Sequence, residues 1–461
     1  MTGIPLLIVF CLAIVLMIVA ISKFHIHPFL SLMGTSLVLA VVVGLPLEKI
    51  PGIIGSGFSG VFSSIGIVII LGALIGLILE KTGAAIRLAD VVIRFVGEKH
   101  PQLALMLMGW IVSIPVFCDS GFVILNPIRK ALCRKLKGAS PAGMAVALSA
   151  GLYAAHVFIP PTPGPIAAAG SLGLADHLAG VILAGVIASV PALAAAYIFS
   201  LYIAKKDISV HADEKESPDT EKSYEELVAG FGKLPGAFSS FAPIVIPVIL
   251  MALGSFVSMI GLQGSSAVLC KFFATPIIAL TVGLLLAVRL LASTHTINRF
   301  AAITDETLKT VGPILFVTAA GGVLGKVITA AGFVEFMKAN AAFLSSVGIF
   351  FPFLISAILK TAQGSSTVAI TTTAGIMGMY TDSASMMSAL GLQSEMAALL
   401  TVMAIGAGAM TISHANDSYF WVVTNFTGLD PQDGYRTQSM MTLVVGIVSM
   451  VSIFLASLVL L

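Results

Sequence analysis

Long apolar runs separated by short polar or Pro/Gly-rich breaks occupy most of the chain. A helix that crosses a bilayer needs about 20 consecutive apolar residues. Runs of this kind predict continuous spanning helices near 5–22, 28–46, 62–80, 178–203, 239–260, 266–291, 311–330 and 437–460. The pattern therefore predicts an all-α polytopic membrane protein.

Four further apolar stretches are interrupted near their centres. Stretches 102–127 and 345–380 have polar, glycine-containing centres, and we expect each to form a re-entrant hairpin that returns to its own side of the membrane. Stretches 141–175 and 394–427 predict broken helices. Irregular backbone survives at membrane depth only when it is buried in protein or lines a water-filled cavity, so the four interruptions are candidates for a shared site.

Composition agrees with a membrane location. Of 461 residues, 58% are hydrophobic and only 10% are charged, against about 25% charged in an ordinary soluble domain. A soluble enzyme, a nucleic-acid binder and a disordered chain are thereby excluded.

The four cysteines form no metal spacing or disulfide framework, and no phosphate-binding loop or nucleophile elbow is present, so we expect no metal site and no cofactor. The N-terminus lacks a basic signal-peptide region, and we expect the first apolar run to be retained as a span.

The two halves of the chain share an internal repeat. Three glycines recur at a constant offset of 249 residues, and a serine and a histidine recur at offsets of 245 and 258. The pairs are Gly72 and Gly321, Gly76 and Gly325, Gly83 and Gly332, Ser120 and Ser365, and His156 and His414. In both halves a span is followed by a surface helix (84–98 or 331–344), a hairpin and a broken helix. We therefore predict a first repeat over 1–203, a hydrophilic cytoplasmic linker over 204–236 and a second repeat over 237–461.

The positions of lysine and arginine predict an orientation. If the basic cluster at 129–137 is cytoplasmic, 19 of the 24 Lys and Arg residues fall on the cytoplasmic side, as the positive-inside rule requires. The 62–80 span then runs inward and its partner 311–330 runs outward, so the repeats are inverted. Inverted repeats with broken helices are the architecture of secondary transporters, whose substrate sites lie near the bilayer midplane.

The tip of the first predicted hairpin carries a carboxylate, Asp119, followed by Ser120. A charge at the bilayer centre costs about 2.5–3.5 kcal/mol on insertion scales, so we expect Asp119 to carry a proton or to accept hydrogen bonds from substrate hydroxyls. A capping role for the second arm of the hairpin is the structural alternative.

The second tip combines a lysine with small hydroxylated residues: Lys360, Gln363, Gly364, Ser365, Ser366 and Thr367. Free backbone N–H groups at a helix start can hold an anion. Lys360 would add a positive charge there, or form a structural pair with Asp119 or Asp417.

The two broken helices contribute the remaining candidates. Prolines 160, 161, 163 and 165 cannot continue a helix, so freed carbonyls and Thr162, together with His156, can face a ligand. The second break contains His414, Asn416 and Asp417 within seven residues. A histidine titrates readily near neutrality, and a His–Asp pair could carry a proton or bind sugar hydroxyls. A hinge or a buried structural network is the alternative interpretation of these segments.

These segments resemble the gluconate permeases, the gluconate:proton symporters of the GntP type. The resemblance is carried by Val116 through Phe122, His156 through Pro165, Ala362 through Ala369, and Ser413 through Ser418. It implies a proton-coupled symporter in the bacterial inner membrane that imports gluconate or a related sugar acid. Some members carry D-serine, glycerate or other hydroxy acids instead, so these stay open as alternative substrates.

The family is similar to a wider ion-transporter superfamily, which implies an elevator mechanism and a homodimer. The scaffold would be built around 5–98 and 239–344. The moving domain would hold both hairpins, both broken helices and the spans at 178–203 and 437–460.

The expected roles follow from the residue types. Backbone amides, Ser365, Ser366, Thr367 and Lys360 would hold the carboxylate, and Asp119, His156, Gln363, His414, Asn416 and Asp417 would bind hydroxyls. The proton would be carried by Asp119 or by His414 and Asp417.

Two alternatives stay open. Sodium coupling is one, because helix breaks also form Na⁺ sites, although a lysine and internal histidines favour protons. An intramembrane aspartyl protease using Asp119 and Asp417 is the other, and it gives no reason for two inverted repeats.

Overall fold

The structure of the chain is a computed structural model. It describes residues 4–24, 26–88, 91, 100–135, 140–206, 208, 210, 234–259, 263–332, 348–414 and 417–461. Within these ranges the secondary structure is helical, with no strand. Most of the predicted 204–236 linker and the greater part of both predicted surface helices lie outside the described residues, although 84–88 is helical.

The longer helices of the first half are α1 (Ile4–Ser22), α2 (Pro28–Val42), α3 (Ile50–Val61), α4 (Ile67–Lys81), α5 (Pro101–Val112), α6 (Cys118–Lys135), α7 (Pro141–Phe158), α8 (Pro163–Leu172) and α9 (Leu178–Ala204). Those of the second half are α10 (Ala237–Met259), α11 (Ser265–Ala274), α12 (Pro276–Ser293), α13 (Phe300–Ala330), α14 (Phe350–Gln363), α15 (Ser366–Met377), α16 (Glu395–Met410), α17 (Ser418–Thr427) and α18 (Met440–Leu460).

Six helical segments of the described chain are long and apolar enough to cross a bilayer. Helix ends in the described chain follow local rules of capping. The Ser140 side chain accepts a hydrogen bond from Gly143 N, with Pro141 opening α7, and Ser394 does the same for Ala397 N at the start of α16. Each cap satisfies a backbone donor that the first helical turn leaves free.

The two halves have the same order of elements from α4 and from α13 onward. In the first half α4 is followed by the pair α5 and α6, the pair α7 and α8, and then α9; in the second half α13 is followed by the pairs α14 and α15, α16 and α17, and then α18. The pairs are interrupted at 113–117, 159–162, 364–365 and 411–417. We call these interruptions the first tip, the first break, the second tip and the second break.

The repeated glycines lie where helices approach closely. A Cβ atom on Gly76 would overlap the carbonyl oxygen of Pro115 in the first tip, and one on Gly325 would overlap that of Gly375 in α15. At Gly72 the added atom would lie 3.0 Å from the Pro161 oxygen in the first break. Small residues allow such approaches between membrane helices, and here they allow α4 and α13 to pack closely against the interrupted helix pairs.

Three predicted element boundaries were wrong. The 266–291 span is two helices that divide at Thr275 and Pro276, because proline is favoured at a helix start and disfavours helical backbone in the residue before it. The 311–330 span belongs to a 31-residue helix from Phe300 to Ala330 that continues through Pro313. The 62–80 span is preceded by a separate helix, α3, joined to it by a π-helical turn over Phe62–Gly66.

Candidate functional site

A buried ion pair joins the second tip to the second break. The Lys360 Nζ atom lies 2.6 Å from Asp417 Oδ2, and the two side chains are 0% and 6% exposed. The same ammonium donates to the Gly364 carbonyl oxygen and lies 5.6 Å from the centre of the Tyr153 ring. Two oxygen acceptors and an aromatic face therefore surround a charge that is removed from solvent.

Asp417 also begins a helix. One of its carboxylate oxygens accepts from the Tyr419 backbone N–H at 3.1 Å, which makes it the N-cap of α17. The other accepts from the Ser413 hydroxyl at 2.5 Å in addition to Lys360. Aspartate is among the preferred residues at this position because its side chain replaces a missing backbone acceptor. Local capping and the ion pair together hold the carboxylate in one place.

Asp119 connects the first half to the second break. It lies in the first turn of α6, where the helix dipole favours a negative charge. Its Oδ1 atom accepts from the Ser418 hydroxyl at 3.2 Å, and its Oδ2 atom lies 3.6 Å from Cys118 Sγ. Since Ser418 directly follows Asp417, the two candidate carboxylates lie at one junction of both halves.

The two histidines occupy different surroundings. His414 Nε2 lies 3.0 Å from the Thr361 carbonyl oxygen, so it bridges the second break to the last turn of α14. His156 lies in the last turn of α7, before the first break, and is buried with its ring 6.1 Å from that of Phe117. Its Nδ1 atom has no hydrogen-bond partner among the described residues. It is therefore a buried polar group that a ligand or a water molecule can satisfy.

The hydroxyl residues at the interruptions make local bonds. Thr162 in the first break donates to the Ile159 carbonyl oxygen at 2.6 Å. In the second tip, Gly364 takes a left-handed conformation with φ of 87°, and Ser365 caps α15 by accepting from Val368 N at 3.3 Å. Ser366 and Thr367 form the first turn of α15. The start of α15 is the place where the sequence predicts that backbone N–H groups bind an anion.

Three of the predicted site residues have no described side chain. The side chains of Ser120 and Gln363, and the whole of Asn416, lie outside the described part of the chain. Of the other candidates, Lys360, Gly364, His414 and Asp417 are linked to one another through the second tip and second break, and Asp119 joins them through Ser418. Thr162 bonds only to its own segment in the described structure.

Several residues around the ion pair were not predicted. Ser439 donates to the Ser413 carbonyl oxygen at 2.5 Å, and Thr442 accepts from Ser413 N at 2.9 Å. Ser439 closes a π-helical turn that leads into α18, and such turns are frequent at functional sites. Tyr153 packs its ring 5.2 Å from that of Tyr419. The signal for them is weak, since Thr442 and Tyr153 are single polar residues among apolar neighbours and Ser439 ends a short polar run inside a predicted span.

The long apolar helices and their interrupted, polar junction define an all-helical, multi-span membrane transporter. The fold is similar to that of the YdaH transporter of Alcanivorax borkumensis, with a TM-score of 0.61 and 14% identity over 94% of this chain and 97% of that one. It is equally similar to MtrF of Neisseria gonorrhoeae, with a TM-score of 0.61 over 95% and 96% of the two chains.

Residues 4–459 match the profile of the GntP family permeases, and the chain belongs to that family. It is 32% identical to the inner membrane permease YgbN of Escherichia coli over 97% of each chain, and 30% identical to the gluconate permease of Pseudomonas aeruginosa over 96% of each. The protein is thus a multi-pass membrane permease and not an enzyme, so the protease alternative was wrong.

Proposed function

We propose that the protein is a proton-coupled symporter that imports gluconate or a related small sugar acid. The observation that carries the proposal is the junction of Lys360, Asp417 and Asp119, which brings one buried cation and two carboxylates to the helix interruptions. Relatives named gluconate permease support the substrate class. The alternative substrates are D-serine, glycerate and other hydroxy acids of similar chemistry.

In the proposed complex, the substrate carboxylate binds at the start of α15. The backbone N–H groups there, with the hydroxyls of Ser365, Ser366 and Thr367, supply donors and a favourable dipole. Lys360 adds a positive potential, although its ammonium is held by Asp417. The substrate hydroxyls would be bound by a larger set around the junction: Asp119, Ser120, His156, Thr162, Gln363, His414, Asn416 and Asp417.

The surroundings of the two carboxylates favour Asp119 as the proton carrier. Asp417 is already neutralised by Lys360 at 2.6 Å, so protonating it would leave a buried ammonium without a counterion. Asp119 forms no ion pair with any described residue, and its hydrogen bonds come from neutral groups. His414 stays a second candidate because it lies beside the same junction.

The position of Lys360 also favours protons over sodium. Its ammonium contacts the Gly364 carbonyl oxygen and an Asp417 oxygen, which are the kinds of ligand that a sodium ion would need. A second cation there would meet strong like-charge repulsion in a low-dielectric site. Sodium coupling would therefore require a site elsewhere in the chain.

The equivalent order of elements in the two halves supports inverted repeats over 1–203 and 237–461, each with a re-entrant hairpin and a broken helix. In the proposed mechanism these interrupted elements move as one domain against a scaffold, within a homodimer. Substrate and proton shift the equilibrium between the two states of this domain only to the extent that they bind one state more tightly than the other.

The decisive experiment is counterflow in proteoliposomes. Vesicles preloaded with unlabelled gluconate should accumulate labelled gluconate, and external D-serine or glycerate should compete in proportion to its affinity. A protein that exchanges none of these acids would contradict the proposed substrate class.

A second measurement separates the coupling ions. Uptake should persist without sodium and collapse when a protonophore is added. Uptake that needs sodium and tolerates the protonophore would overturn proton coupling while leaving the substrate class intact.

A further inference from the structure

A second cavity lies away from the Lys360–Asp417 junction. Its volume is about 400 Å³, and it is formed where α3 and α13 face α8 and the end of α15. Among the residues described as lining it, Met379 is the one apolar side chain, and the rest are glycine, hydroxylated or charged. Most of the surface that lines the cavity is apolar, and a few polar side chains lie around it, as is typical of a site for a small molecule.

A larger groove exceeds the usual size of a small-molecule site. The groove between α9, α10 and α12 has a volume of about 1220 Å³. Sites for small molecules typically measure about 300–1,000 Å³ and contain a few placed polar groups. The smaller cavity meets both criteria.

Three side chains give the cavity its chemistry. Lys326 on α13 lines it and forms no ion pair within the described ranges of the chain. Asp382 uses one carboxylate oxygen to accept from Ala384 N at 2.9 Å and has a second oxygen for a ligand. The buried hydroxyl of Ser171 has no hydrogen-bond partner among the described residues. A free cation, a carboxylate and a hydroxyl suit a ligand with one carboxylate and several hydroxyls.

The cavity is separate from the junction but shares α15 with it. The second tip begins α15 at Ser366, whereas Gly375 lines the cavity nine residues further on. At 1.5 Å per residue the separation along the helix is about 14 Å. In the orientation predicted from lysine and arginine, the 311–330 span runs outward, so Lys326 lies near its outer end. A substrate at the cavity would therefore precede the junction during uptake.

We propose that this cavity is a second binding site for the transported acid, which we call the vestibule site (Lys326, Asp382, Ser171 and Ser385). The inference rests on the proposed function. The substrate carboxylate pairs with Lys326 and its hydroxyls bind Asp382 and the serines, so the acid is captured before it reaches the junction. Glycines lie on all four elements, and at Gly57, Gly325 and Gly375 an added Cβ atom would meet the backbone of a neighbouring helix, so these glycines allow the walls of the cavity to approach one another.

The first test measures initial uptake rates in proteoliposomes. Lys326→Gln should raise the KM for gluconate about tenfold with little change in maximal velocity. The substitution removes a charge-assisted hydrogen bond that acts only while the substrate is being captured. Lys326→Arg should restore a KM near that of the unmodified protein. Lys309→Gln, on an exposed position of the same helix, is the matched control and should leave KM unchanged.

The second test counts bound substrate. The full-length protein in lipid nanodiscs should bind two molecules of labelled gluconate per chain at saturation, and the Lys326→Gln variant should bind one. A stoichiometry of one for the unmodified protein, or an unchanged KM in Lys326→Gln, would overturn the vestibule site.

The two proposals fail in different ways. If the unmodified protein exchanges neither gluconate, D-serine nor glycerate in counterflow, the proposed function and the vestibule site both fall. If it exchanges gluconate while Lys326→Gln behaves as the unmodified protein does, only the vestibule site falls.

Discussion

The buried pair of Lys360 and Asp417 should dominate the stability of the junction. Its side chains are 0% and 6% exposed, so solvent screens their interaction little. Replacing Lys360 by Met leaves the carboxylate buried without its cation, and replacing Asp417 by Asn leaves the ammonium in the same position. Breaking such a pair costs about 3–5 kcal/mol because the remaining charge is uncompensated.

The substitution at 417 is conservative in one respect. An asparagine oxygen can still accept from Tyr419 N at the start of α17, as Asp417 does at 3.1 Å, and asparagine is an N-cap residue of similar quality. The single variants therefore differ from the unmodified protein mainly in charge. The double variant, Lys360→Met with Asp417→Asn, leaves neither partner of the pair as an unpaired charge and should recover about 3 kcal/mol relative to the sum of the singles.

Unfolding by SDS in mixed micelles, followed by tryptophan fluorescence, measures these free energies. The two tryptophans, Trp110 in α5 and Trp421 in α17, report on both halves. Lys309→Met on α13 is a control for loss of an exposed lysine and should change stability by less than about 0.5 kcal/mol. If the double variant equals the sum of the two singles within about 0.5 kcal/mol, the pair does not exist as described and the reasoning is refuted.

Further predictions concern coupling and helix packing. Asp119→Asn should abolish proton-driven accumulation but retain counterflow, and accumulation at the unmodified level would show that the proton is carried elsewhere. Gly76→Ala should destabilise the protein by about 1–3 kcal/mol through overpacking, since the new methyl group would overlap the Pro115 carbonyl oxygen. The control Gly312→Ala, which meets open space, should be neutral or slightly stabilising; equal effects of the two alanines in the unfolding assay would contradict the packing argument.

Local signals in the sequence predicted the interruptions well. Prolines at 160, 161 and 163 mark the first break, and the structure places it at 159–162. Likewise, the polar run at 413–419 coincides with the second break. These features could be predicted because proline geometry and the cost of polar groups in lipid act on the residues that carry them.

Helix continuity was less predictable. The helix from Phe300 to Ala330 includes Asp305, Glu306 and Lys309, which mark the end of a span in a hydropathy pattern. In the structure Glu306 pairs with Lys81 at 2.9 Å, from the end of α4. A long helix can thus extend beyond the bilayer when a neighbouring helix supplies a partner for its charges, and that neighbour is far away in the sequence.

The sequence by itself determined that this chain is a multi-span helical membrane protein. It also determined where the helices are interrupted and which residue types occur at the interruptions. These properties depend on residues within a few helical turns of one another. Only the tertiary structure decided that Lys360 pairs with Asp417 rather than Asp119, that Ser418 bonds to Asp119 across 299 positions, and that Ser439 and Thr442 hold the second break. Such pairings depend on how helices from both halves pack. Hydropathy and spacing specify which faces are apolar but leave open which distant polar atoms meet.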